Sequence, residues 1–143
     1  MWELQKEIRI YIAAKRTEDR THFSNSLTVD GFNVTVFPAA SELWDCFQVH
    51  PARIVMTERR FDYGLSGLEL VNRIRQQQPW PYVYVAVTSA MNQMEEIEQG
   101  LEAGVDDYLL KPFNPIQLRA RALVALRWLS YLDSLFQEQT VNQ

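Results

Sequence analysis

Val83-Tyr84-Val85-Ala86-Val87 is apolar at every position, so the strand it forms has no face suited to water. Such a strand belongs inside a parallel sheet covered on both sides. Working outward, Pro79-Trp80-Pro81 closes the preceding element. Before it, Ser66-Gly67-Leu68-Glu69 has the spacing of a capping box and opens a helix carrying Leu68, Leu70, Val71 and Ile74. After the strand, a helix is expected from near Asn92 to about Ala103, with Gly104 suited to a left-handed cap. Tyr108-Leu109-Leu110 reads as the last strand. Asn114-Pro115-Ile116-Gln117 then starts the final helix with a capping residue, a proline at the first helical position and a glutamine at the third.

The first half repeats the rhythm more weakly. Ile8-Arg9-Ile10-Tyr11-Ile12 alternates β-branched residues as a strand should, and Thr17 reads as the cap of a helix. Glu18 and Asp19 sit in its first turn, where carboxylates favour the helix dipole and face solvent, and Phe23 and Leu27 carry its stripe to Asp30-Gly31. Val34, Val36 and Phe37 form a second strand. Leu43, Trp44 and Phe47 mark a short helix ending before His50-Pro51, and Ile54-Val55-Met56 is a buried-type strand. This alternation, with right-handed crossovers, predicts an α/β fold: a doubly wound, five-stranded parallel sheet with helices on both faces.

With 143 residues, 47% hydrophobic and 22% charged, the chain suits one compact domain. No apolar run reaches the roughly 20 residues of a membrane span, and the start lacks a secretory signal, so a cytoplasmic protein without a membrane partner is expected. One cysteine, Cys46, rules out an internal disulfide, and His22 and His50 stand too far apart in sequence to suggest a metal site. The net charge of −4 argues against bulk nucleic-acid binding.

In such a sheet the functional crevice lies beyond the carboxyl ends of the strands. The residues there are Ala13, Ala14, Lys15 and Arg16; Thr57, Glu58, Arg59 and Arg60; Thr88, Ser89 and Ala90; and Lys111-Pro112. No GxGxxG, GxxxxGK[ST] or GxSxG is present, so dinucleotide, nucleoside-triphosphate and hydrolase chemistry lack their cradle or elbow. No catalytic residue, metal ligand or cofactor is expected. A small-ligand binder on a flavodoxin-like sheet is the competing reading from another class.

Three segments carry a resemblance: Ser66-Gly67-Leu68-Glu69-Leu70, Val87-Thr88-Ser89-Ala90, and Gly104-Val105-Asp106-Asp107-Tyr108-Leu109-Leu110-Lys111-Pro112-Phe113. Through them the chain resembles the receiver domain of bacterial response regulators, a flavodoxin-like architecture, over essentially residues 8–127. The resemblance implies that Thr88 is the switch threonine, Tyr108 the switch aromatic and Lys111 the phosphate-contacting lysine, with a Lys111-Pro112 peptide bond that is usually cis in the family. It also implies two-component signalling through protein partners, with a partner surface on the fourth helix, fifth strand and fifth helix.

The departures fall on the acids. The family ends its first strand with a magnesium-binding pair, where this chain has Ala13, Ala14 and Lys15. At the phosphoacceptor position stands Glu58, or Arg59 if the longer loop that follows is ignored. Loss of metal-dependent phosphorylation is expected; a receiver that accepts phosphate on Glu58 is the alternative. A Glu58 to Lys111 ion pair is expected either to lock the domain on, drawing Thr88 inward and burying Tyr108, or to be an ordinary pairing with no such consequence.

Leu118, Ala122, Ala125, Leu129, Leu132 and Phe136 follow the four-three spacing of a coiled-coil seam, and Ile116, Ala120 and Leu123 form a second stripe. The second stripe is expected on the sheet, leaving the seam for a homodimer or another chain. Residues 1–127 would then be the receiver-like domain and 128–143 an extension of the last helix, with no separate output domain following.

Overall fold

The computed structural model describes residues 7–77, 81–90, 94–111 and 114–141. Strand and helix alternate as the periodicity requires: β1 (Arg9–Ala13), α1 (Thr17–Thr28), β2 (Asn33–Phe37), α2 (Ala40–Val49), β3 (Ile54–Glu58), α3 (Gly67–Gln76), β4 (Tyr84–Ala90), α4 (Met94–Ala103), β5 (Asp107–Lys111) and α5 (Pro115–Val141). The strands form one parallel five-stranded sheet in the order β2-β1-β3-β4-β5. The Pro79-Trp80 break, the start of the helix at Asn92 and the Lys111-Pro112 peptide bond lie outside the described residues.

The period-two alternation of the strands divides the core in two. Ile10, Ile12, Ile54, Met56 and Ala86 face α1 and α5, meeting Phe23, Leu27, Leu118 and Leu126. Tyr11, Ala13, Val55, Val85 and Val87 face the other way, onto Leu43 and Phe47 of α2 and Leu70, Val71 and Ile74 of α3. Strand β3, between β1 and β4, is buried along its whole length. Among the described residues no helix is long and apolar enough to cross a membrane.

The caps follow the sequence in two places. Ser66 and Glu69 exchange the reciprocal bonds of a capping box, and so do Asn114 and Gln117, each side-chain oxygen accepting from the other's backbone N–H. Gly104 stands at φ 101°, the left-handed conformation expected of it. Thr17 is a correction. It is the first helical residue, Arg16 occupies the cap without a side-chain bond, and the Thr17 hydroxyl accepts from Arg20 instead.

The last helix is a larger correction. Leu118, Ala122, Ala125 and Leu129 are fully buried in the domain's own core, so this part of the supposed interface seam is intramolecular. Ala122 and Ala125 lack bulk and let the helix lie close to the layer beneath it. Each buried leucine contributes roughly 1.5–3 kcal/mol over exposure. The stripe expected on the sheet is mostly turned outward: Ile116 is 78% exposed and Ala120 is exposed, and only Leu123, half-buried, packs against the core. Leu132 is half-buried and Phe136 exposed. The helix does not leave the domain at residue 127 either, because Leu129 is core and Asp133 takes two bonds from Arg53, at 3.3 and 3.0 Å.

Arg53 also donates to the Tyr82 carbonyl at 2.9 Å, and beside it lies a second network at the amino ends of the strands. Asp106 accepts from Arg75 at 2.8 Å, from the Val85 N–H at 2.8 Å and from the Tyr82 hydroxyl. Arg75 donates further to the Gly104 and Val83 carbonyls at 3.0 and 2.7 Å and lies over the Tyr82 ring. Burial first, and then the bond to Asp106, push the Tyr82 phenol up to about 12.

Candidate functional site

Because every strand is parallel, the residues ending β1, β3, β4 and β5 meet at one edge of the sheet. Ala13 pairs in register with Thr57, and Glu58 with Thr88 on the neighbouring strand. The sequence alone left Glu58 and Arg59 open for the acceptor position. Glu58 ends β3 and faces the crevice, whereas Arg59 sends its guanidinium to the Gln99 side chain on α4, at 2.5 Å.

The Glu58 side chain is only 11% exposed, and both of its oxygens are engaged. Oε1 accepts from Lys111 Nζ at 2.7 Å, and Oε2 accepts from the Lys15 backbone N–H at 2.7 Å. The expected ion pair is therefore present. A buried carboxylate needs such charge-assisted bonds to offset the loss of water.

Ala13 and Ala14 are buried and bring no side-chain oxygen to the crevice. The backbone beside them is committed as well: Arg20 Nη1 donates to the Ala14 and Lys15 carbonyls at 2.7 and 2.8 Å. The Lys15 ammonium turns outward to Asp62, 3.6 Å away, a pair weakened by the 88% exposure of the aspartate side chain.

Thr88 and Tyr108 do not respond together. Thr88 is 3% exposed, and among the described residues its hydroxyl has no hydrogen-bond partner, although it stands beside Glu58 in the ladder. Tyr108 is half-buried beneath α4, its hydroxyl donating to the Ile97 carbonyl at 3.4 Å. The ring fits there because residue 100 is glycine: a Cβ at Gly100 would come within 1.3 Å of the Tyr108 hydroxyl.

Two participants escaped the sequence reading. Asp19, expected in solvent, has a side chain only 27% exposed and lies 3.7 Å from Lys111 Nζ. Its place in the first turn after the missing acid pair was the available signal. Arg20, which fixes the loop after β1, carried no motif.

A divalent cation of the magnesium type wants an octahedral set of oxygens that includes carboxylates. The described residues hold no group of three or more candidate metal ligands. Glu58, the carboxylate at the centre, already has an N–H donor on each oxygen, so the donor set does not fit such an ion.

A family model of the response regulator receiver domain matches residues 10–123. Transcriptional regulatory protein KdpE of Staphylococcus aureus is 35% identical over 105 residues, covering 71% of this chain and 42% of that protein. Phosphate regulon transcriptional regulatory protein PhoB of Pseudomonas aeruginosa is 31% identical over 97 residues, covering 62% and 42%. The chain thus spans less than half the length of these relatives. Among solved structures, NtrX of Brucella abortus superposes with a TM-score of 0.82 at 20% identity, over 90% of this chain and 29% of that one. The chemotaxis protein CheY4 of Vibrio cholerae gives 0.73 at 18% identity, over 83% of this chain and 98% of that one. Both superpositions are likenesses of fold.

Proposed function

The chain belongs to the response regulator receiver family, and from that premise we propose that it works as a protein-interaction module of two-component signalling whose strand-end site is held by its own side chains. On this reading neither magnesium nor a phosphoryl group occupies the site, and no residue is catalytic. The observation that carries it is the double engagement of Glu58 by Lys111 and the Lys15 N–H.

Phosphoryl transfer to a carboxylate depends on a cation that neutralises and orients the moving group. At an effective dielectric of about 20, a dication about 4 Å from a carboxylate gains on the order of 8 kcal/mol, and an ammonium at the same distance removes as much. Glu58 and Lys111 therefore offer a dication almost no net attraction. Asp19, already near Lys111, is the remaining nearby acid, and the alanines add nothing. A receiver phosphorylated on Glu58 would first have to release both of its partners.

The domain would then present one standing state. Tyr108 is held under α4, while Thr88 stays unrecruited, so Glu58 does not act as a copy of a phosphoryl group at the threonine. The surface offered to a protein partner is α4-β5-α5, where Leu101, Leu110 and Ile116 are exposed on the three successive elements.

Magnesium titration followed by amide NMR tests this reading. The Lys15, Glu58 and Thr88 amides should not move with magnesium, while Glu58→Gln should shift the Lys15 amide. Saturable, magnesium-dependent movement of those amides overturns it.

A further inference from the structure

Glu58 has two donors, and the start of α1 reaches both of them. Asp19 lies 3.7 Å from Lys111 Nζ, and Arg20, the next residue, holds the loop that carries the Lys15 N–H. Arg20 Nη1 donates to the Ala14 carbonyl at 2.7 Å and to the Lys15 carbonyl at 2.8 Å, and Nη2 donates to the Thr17 hydroxyl at 3.1 Å. Among the described residues no carboxylate pairs with this guanidinium, so its charge is directed wholly at loop oxygens. Building on a self-paired Glu58, we propose that Arg20 is the positioning residue of the strand-end site: its charge reaches Glu58 through the Ala14–Lys15 peptide group, and α1 thereby governs the site.

Peptide geometry makes that path. The Ala14 C=O and the Lys15 N–H belong to one planar trans unit and point in opposite directions. Arg20 therefore grips one side of the unit while Glu58 Oε2 accepts from the other at 2.7 Å. Hydrogen bonds in such a chain polarise one another, so a cation at the carbonyl makes the N–H behind it a stronger donor. Burial preserves the effect, since Ala14 is fully buried and the Glu58 side chain is nearly so. Ala14 is also pinned on its amino side, its N–H donating to the Phe37 carbonyl of β2 at 3.0 Å. Turning the Ala14–Lys15 plane would break bonds on both of its sides.

Helix formation does not account for an arginine at this position. Arg20 stands four residues into α1, near the positive end of the helix dipole, where a cation gains nothing from the helix. The neighbouring acid Glu18 pairs with Arg16 instead, and Arg20 folds back over the loop. The Ala14 and Lys15 carbonyls and the Thr17 hydroxyl, oxygens that could face a cation from solution, are thus taken by the chain's own cation. Lys111 does the same at Glu58 Oε1. Because Asp19 and Arg20 are consecutive, a movement at the start of α1 loosens both donors of Glu58 together. The helix, rather than an ion, then sets the state of the site.

Amide NMR and hydrogen exchange of the full chain, read at the Lys15 N–H, test it. Glu58→Gln should move the Lys15 amide proton upfield, which establishes the bond to the carboxylate. Arg20→Met should move it in the same direction and speed its exchange by roughly tenfold, with an unchanged circular dichroism spectrum. Arg20→Lys, which keeps a cation at the Ala14 carbonyl, should recover most of the shift, and Arg20→Gln, a neutral donor, should recover less. If Arg20→Met fails to fold, the Lys and Gln variants carry the same comparison. A Lys15 amide that responds to Glu58→Gln yet keeps its wild-type shift and exchange rate in Arg20→Met overturns the proposal and leaves the self-paired site standing. Equal recovery by Lys and Gln overturns it too, since the charge then has no part. A Lys15 amide indifferent to Glu58→Gln overturns the self-paired site and the proposal with it.

Discussion

The two ends of the sheet both bury charge, and they do so in different ways. At the amino ends of the strands Asp106 takes bonds from Arg75, Tyr82 and the Val85 N–H, while Arg75 also donates to two backbone carbonyls and to the Tyr82 hydroxyl oxygen. These bonds tie α3 to β4 and to the start of β5. At the carboxyl ends, Glu58 is paired, yet Lys111 is shared with Asp19 and Thr88 keeps a buried hydroxyl without a partner among the described residues. At the amino ends Asp107 Oδ2 also lacks a hydrogen bond among the described residues, with Arg121 3.4 Å away, but the Asp106 cluster itself is fully engaged, and it is this cluster that is framework. A network whose members are all satisfied stabilises and specifies the fold, whereas an incompletely satisfied one marks a place where groups are arranged for something else.

The same kind of substitution should therefore hurt stability more at the amino end. Asp106→Ala deprives Arg75 of its carboxylate and leaves the Tyr82 hydroxyl proton and the Val85 N–H without an acceptor, and should lower unfolding free energy by about 2–4 kcal/mol in urea titrations. Lys111→Met leaves Glu58 with its bond from the Lys15 N–H and should lower it by about 1–2 kcal/mol. The reverse order would mean that the Glu58 cluster, not the Asp106 cluster, holds the fold. Arg53→Met removes a partly buried pair with Asp133 together with the bond to the Tyr82 carbonyl and should lower it by about 1 kcal/mol, read most clearly as faster amide exchange near residue 133.

A separate effect, absent at neutral pH, is expected in alkali. The Tyr82 and Tyr84 phenols are both pushed up to about 12, chiefly by burial, against 10.0 unperturbed. The folded state thus holds these protons more tightly than the unfolded state. The stability this contributes is complete below pH 10 and is lost as the pH rises toward 12. Tyr82→Phe should make stability fall less steeply across that window, and a slope identical to wild type would count against a buried Tyr82 network.

Local physics made much of this legible in the sequence. Alternation gave the strands, the unbroken apolar run gave a covered β4, and the Ser66/Glu69 and Asn114/Gln117 spacings gave two helix starts. Parallel strands bring their carboxyl ends together, which put Glu58 and Lys111 among the strand-end residues, and the resemblance to receiver domains singled them out. The outward face of α5 was not, because heptad spacing says which residues share a face and nothing about what covers it. Two stripes one residue apart, Leu118/Ala122/Ala125/Leu129 and Val124/Trp128/Tyr131/Leu135, satisfy the same pattern, and burial alone tells them apart. Arg20 bonding back over the β1 loop and Arg53 reaching Asp133 are contacts set by tertiary packing, which no local period encodes.

The most direct test of a self-paired strand-end site is intact-mass spectrometry after incubation with magnesium and a small-molecule phosphodonor. The wild-type chain should keep an unchanged mass. A labile adduct of one phosphoryl group, present in the wild type and absent from Glu58→Gln, would contradict it.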